Sequence, residues 1–323
     1  MVRLLEEVKE AQNLKRGEIT TAKNSTYDDI VESISKSLSN GWISTEAVTQ
    51  VLEAAEIAGR QHVCVFEVAQ EDLGKVRESL NNPATLNTQT TSLEEFWTIP
   101  LEPYTRILAD APDIHISKVV AVRKYWVEHE TPKSEDYIEI IRKRERERAA
   151  LIVKLDAGSR LLQFRVPIRE QAPGVDTSSS VYAFVSQIVY SQYGDHGAAW
   201  LLRLRPFKIA DAYKNIILNR DDFELHADTP ENQYLRSSMS RKGAPGTGQD
   251  IRDFPEWVYD NGFARSSIKG TWKRDPAGVD VRMHYDRVKV SKELTRLMAR
   301  LYFSKPYSDQ DVEHVILRIR EHF

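Results

Sequence analysis

The chain of 323 residues has a single cysteine, Cys64, so an internal disulfide is excluded. It lies in the apolar run His62-Val63-Cys64-Val65-Phe66, where a small buried hydrophobe is expected rather than a reactive thiol. No apolar run reaches the roughly eighteen residues of a membrane helix, so no span is expected. The opening MVRLLEEVKEAQ turns acidic and polar at once and holds no apolar stretch of signal-peptide length, which leads us to expect a cytoplasmic protein. The patterns CxxC, HExxH and GxGxxG are missing, and the histidines lack metal-ligand spacing. Neither a metal nor a cofactor is therefore expected.

What is present is an ordinary globular composition, 41% hydrophobic and 29% charged, in a chain long enough to bury roughly 75% of its unfolded surface. The net charge of −3 hides an uneven distribution. Residues 1–100 hold nine basic and sixteen acidic side chains, residues 236–300 fourteen basic and eight acidic, and residues 104–170 fourteen basic and eleven acidic. Such separation marks a surface for an anionic partner or lets the two ends of the chain attract each other.

The densest apolar signal is in residues 148–168. An apolar run at 149–155 is followed by Asp156-Ala157-Gly158-Ser159, a turn in which Gly158 is free to take positive φ. Beyond it Leu162, Phe164, Val166 and Ile168 alternate with Leu161, Gln163, Arg165 and Pro167. The pattern predicts a β-hairpin with one buried face at the centre of a sheet. Upstream, an amphipathic helix is predicted over 2–13, a capped helix from Thr26 to Asn40-Gly41, and another after Ser44-Thr45, followed by a strand over 61–68. Helix, turn, helix, strand is the order of a winged helix. The second of these helices, however, carries Glu46, Gln50, Glu53 and Glu56 with no Lys or Arg, which suits protein contact better than DNA.

Residues 81–103, rich in Asn, Thr and Pro, read as a linker or an ordered arm. After them the periodicities predict a short helix over 104–109, strands over 116–127 and 198–207, helices over 181–190 and 208–218, and a hairpin within 268–290. Two final helices are predicted, after Ser291 and after Ser308. The charged run at 141–148 reads in two ways. As a helix it is a solvated face of Arg–Glu pairs. Extended, it aligns Arg142, Arg144, Arg146 and Arg148 on one side, a comb that tracks a phosphate backbone.

Three constellations bear on chemistry. Asp280, Arg282, His284 and Asp286 share one side of a predicted strand, so His284 with Asp280 and Asp286 is a candidate for general-base or metal-assisted hydrolysis. The basic, aromatic stretch 236–287 offers Arg241, Lys242, Lys269, Trp272, Lys273 and Arg274, and together with Arg142 and Arg144 these are the candidate nucleic-acid contacts. Gly243-Ala244-Pro245-Gly246-Thr247-Gly248 resembles the loop of P-loop nucleotidases. Gln249 and Asp250 stand where that family needs Lys and Ser or Thr, so nucleotide binding is not implied.

The reading that results is an α+β protein. A small acidic helical, winged-helix-like domain occupies residues 1–80, residues 81–103 connect, and a larger, mostly antiparallel sheet domain with flanking helices covers 104–323. The expected function is a non-enzymatic binding or regulatory protein that contacts nucleic acid or another polyanion through its basic C-terminal region and protein through its acidic N-terminal domain. The alternatives are the hydrolase built on His284 and a protein-interaction scaffold.

Overall fold

The computed structural model describes residues 26–89, 92–134, 137–168, 178–218, 221–225, 267–274, 277–289 and 295–323, with isolated positions between 5 and 12. Thr26 caps helix α1 (Tyr27–Ser39): its hydroxyl accepts from the Asp29 amide, and the Asp29 carboxylate accepts from the Thr26 amide. Gly41, at φ 67°, turns the chain toward helix α2 (Thr45–Ala58). Ile30, Ile34 and Leu38 of α1 join Ile43, Val48, Leu52 and Leu93 in a small core. This core belongs to one compact unit, Met1–Glu56 with Gln89–Thr98. The second unit comprises Ile57–Thr88 and Ile99–Phe323.

The second unit is built on one large antiparallel sheet. Its strands are β1 (Gln61–Glu67), β2 (Tyr104–Ala111), β3 (Ile114–Ser134), β4 (Tyr137–Asp156), β5 (Leu161–Pro167), β6 (Arg205–Pro206), β7 (Phe223–Leu225), β8 (Ser267–Trp272), β9 (Val279–Lys289) and β10 (Thr295–Phe303). They are ordered β2-β3-β4-β5-β1-β10-β9-β8-β7, with β6 beside β1. Among the described residues, helices α3 (Leu73–Asn81), α4 (Ser178–Arg203), α5 (Ile209–Leu218) and α6 (Asp309–Arg320) flank the strands. The strand expected as the wing of an N-terminal domain is β1, which pairs with β5 on one side and β10 on the other, inside the large sheet.

Strand alternation divides the core in two. Val63, Val65, Leu161, Met283, Ala299, Leu301 and Phe303 meet α5 and α6, whereas Cys64, Phe66, Val119, Leu151, Val153, Phe164 and Met298 meet α3 and α4. The central hairpin is present as β4 and β5, but both of its faces are buried, not one. Gln163 and Arg165 are covered because α6 supplies the charges they need. Glu313 Oε1 accepts from Lys154 Nζ at 2.7 Å, Gln163 Nε2 at 2.9 Å and Arg165 Nη2 at 2.7 Å, and Asp309 accepts from Lys154 at 3.0 Å. Burial opposes charge on Asp309, yet Arg165 and Lys154 outweigh it and hold the carboxyl below its ordinary pKa. In the β4–β5 turn Asp156 accepts from the Ser159 amide at 3.0 Å, and the positive φ of 57° falls on Arg160, not Gly158.

Other expectations need correction. Residues 104–109 form strand β2, not a helix, and 295–303 form strand β10, not a helix. Short apolar runs fit either period, and pairing with neighbouring strands decides. Residues 198–203 are helical, not a strand, and Gly194, whose φ of 57° and ψ of −154° are not helical, divides the span of α4 into two helices at a kink.

Candidate nucleic-acid interface

The charged run at 141–148 is extended, not helical, and lies within β4. β2 pairs with β3 only as far as Val120, and β5 pairs with β4 only from Ile152. Among the described residues, 121–134 and 137–149 therefore pair only with each other, as a two-stranded ribbon reaching about 40 Å at roughly 3.3 Å per residue. Register sorts its charges. Arg123 faces Glu147 and Tyr125 faces Glu145 on the α4 side, where the Tyr125 hydroxyl donates to Glu145 at 3.4 Å. On the other side Arg148 stands opposite Val122, Arg146 opposite Lys124, Arg144 opposite Trp126 and Arg142 opposite Glu128.

Around the charged run the register thus puts Arg142, Arg144, Arg146 and Arg148 on one face, with Glu128 and Glu130 farther out along it, and Glu145 and Glu147 on the other. Lys124, Arg142, Arg144 and Arg146 are exposed. Successive residues on one face of a strand are about 6.6 Å apart, the order of the spacing between phosphates along a nucleic-acid strand. Guanidinium groups remain charged at any physiological pH and present planar donors suited to phosphate.

Beside the root of the ribbon is a groove of about 340 Å³ lined by Arg123, Lys124, Arg144, Ser180, Ala183, Phe184 and Gln187. The four α4 residues recur at helical spacing and form one stripe. Arg123 is fixed: it donates to the Pro167 carbonyl at 3.1 Å, and its guanidinium carbon sits 5.4 Å from the centre of the Phe184 ring.

The other predicted residues are dispersed. Arg241 and Lys242 lie outside the described residues, as does the glycine loop after them. Trp272 is fully buried against Phe223 and His322, so its ring cannot stack on a base and belongs to the core. Arg274 is paired with Asp311, and Lys273 is exposed. Lys269 is half-buried and stands opposite Arg282 in the sheet.

His284 stands opposite Arg300, which bonds the His62 ring nitrogen at 2.9 Å. Burial first, then Arg300, Arg282 and His62, push the His284 pKa well below its ordinary value, so its imidazole is neutral. Asp280 is four residues along the strand, about 13 Å away. There it accepts from the Thr271 hydroxyl at 2.6 Å and pairs with Lys305. Asp286 is in register with Met298, and its side chain is outside the described residues. Among the described residues no three His, Cys, Asp or Glu side chains are grouped to hold a metal ion.

Sheet, flanking helices and ribbon define the class as mixed α and β, built on one large antiparallel sheet. No family model, curated protein or solved structure matches the chain. Among the described residues no helix is long and apolar enough to cross a membrane. Sequence reasoning aligned Arg142, Arg144, Arg146 and Arg148 on one side of an extended run but missed Lys124 as a member of the same surface. Lys124 needed the register of a strand twenty residues away.

Proposed function

We propose that the protein is a non-enzymatic nucleic-acid-binding protein whose contact surface is the arginine face of the β3–β4 ribbon, not chiefly its basic C-terminal region. The observation that carries the reading is the sorting of charge by strand register, with Lys124, Arg142, Arg144 and Arg146 exposed on one face while Glu145 and Glu147 point to the other. An extended two-stranded ribbon is an element able to follow a groove or a backbone. Phosphate contacts of this kind give affinity and orientation without base specificity. The acidic N-terminal unit, with Glu46, Glu53 and Glu56 on α2, would repel the same backbone and is assigned to protein contact. Buried, reduced Cys64 suits a cytoplasmic setting. The test is fluorescence anisotropy of the full chain with generic duplex DNA, single-stranded DNA and RNA. Binding that weakens steeply as salt rises is the expected result, and failure to bind any of them at low salt removes the proposal.

The hydrolase reading gains no support from the site. His284 is ringed by cations and separated from Asp280, which is engaged by Thr271 and Lys305.

A further inference from the structure

We propose that the groove between the ribbon root and α4 seats one unstacked nucleotide, so that the strand followed by the arginine face is single-stranded. The inference rests on the nucleic-acid reading above and adds the kind of nucleic acid.

Four observations point to it. The groove's volume of about 340 Å³ falls within the range of small-ligand sites and is far too small for a duplex. No carboxylate is among the described residues that line it. Lys124 and Arg144 belong both to this lining and to the arginine face, so groove and face form one continuous surface. They place two cations where a phosphate entering from the ribbon would arrive. On the helix side Gln187 is exposed and offers an amide donor and acceptor, the pair of groups that reads the edge of a base.

The wall between is preorganised. Arg123, 5% exposed, is held by the Pro167 carbonyl and lies over the Phe184 ring, so it is ordered before any ligand arrives. Ala183, one turn before Gln187, is small and exposed and leaves the opening clear. In a duplex the bases are stacked and paired inside the helix and cannot enter such a groove. In a single strand one nucleotide can turn into it at little cost while its neighbours follow the ribbon.

The experiment compares the full chain with its Ala183→Glu and Ala183→Gln variants, titrated at low salt into labelled single-stranded DNA, single-stranded RNA and duplex DNA of roughly 20 nucleotides. Position 183 is an exposed helix site that tolerates either residue, and circular dichroism checks the fold. The wild type is expected to prefer single strands to duplex by about tenfold or more, and Ala183→Glu to weaken single-strand binding by about tenfold with less than about twofold change for duplex. Ala183→Gln adds bulk without charge and should fall between. A preference for duplex, or a loss in Ala183→Glu that is absent or equal for both forms, overturns the groove proposal and leaves the arginine face standing. Binding to none of the three probes by the wild type overturns both.

Discussion

Replacing Glu313 by Gln probes the buried charge network that docks α6. The Glu313 side chain, 24% exposed, receives three hydrogen bonds on one oxygen, from Lys154, Gln163 and Arg165. Lys154 is 4% exposed and Arg165 1%, so after Glu313→Gln two buried cations share the one remaining carboxylate, Asp309. Removing one partner of a buried pair costs about 3–5 kcal/mol, and the partial exposure of Glu313 lowers the expectation to about 2–4 kcal/mol. With a urea slope near roughly 3 kcal/mol per molar for a unit of this size, the unfolding midpoint falls by about 1 M. Trp272, fully buried in the core that receives α6, gives the fluorescence signal. Adding Lys154→Met removes the stranded cation, and the double variant should be less destabilised than the sum of the two singles, by about 1–3 kcal/mol. Strict additivity, or a midpoint unchanged by Glu313→Gln alone, refutes the argument.

Three further outcomes are expected. Gly270→Ala should destabilise the β7–β8 edge by about 1–3 kcal/mol, because a Cβ there overlaps the Phe223 ring and comes 2.5 Å from the Glu224 carbonyl oxygen. Hydrogen exchange confined to β7 and β8 should rise in that variant. The Cys64 thiol, fully buried, should react with a thiol reagent no faster than the protein unfolds; rapid labelling of native protein contradicts its placement. Stability should decline as pH falls below about 6.5, because His284 and His115 are kept from protonation by burial in the folded state and the unfolded chain takes up those protons. His284→Asn should flatten that slope. A further decline is expected below about pH 4, where the depressed pKa of Asp309 ceases to contribute.

The strands and helices that carry strong periods were legible. Val181, Phe184, Val185 and Ile188 announced α4, Ser308 with Asp311 announced α6 through a capping box, and the β4–β5 hairpin followed from alternation. What could not be read was tertiary. Gln163 and Arg165 pattern as a solvent face, and only α6, some 145 residues later, turns that face inward. Met298 and Leu301 suit a helix until β9 pairs with both and β1 pairs with Leu301 on the other side. At 141–148 the local rule for charged helices competes with extension, and the decision belongs to β3, whose register places Glu147 on Arg123 and Arg146 beside Lys124. The candidate surface was half visible for the same reason. Arg142 and Arg144 could be seen in one strand, whereas the groove requires Lys124 and the α4 stripe as well.

The arginine face is tested most directly by the salt dependence of single-strand binding in the wild type and in the combined variant Arg142→Ala, Arg144→Ala, Arg146→Ala. Each lost phosphate contact should reduce the slope of log affinity against log salt by about 0.7, so the triple variant should show a slope about 2 units shallower and markedly weaker binding at low salt. Equal slopes and equal affinities in the two proteins would contradict the assignment of the ribbon as the contact surface.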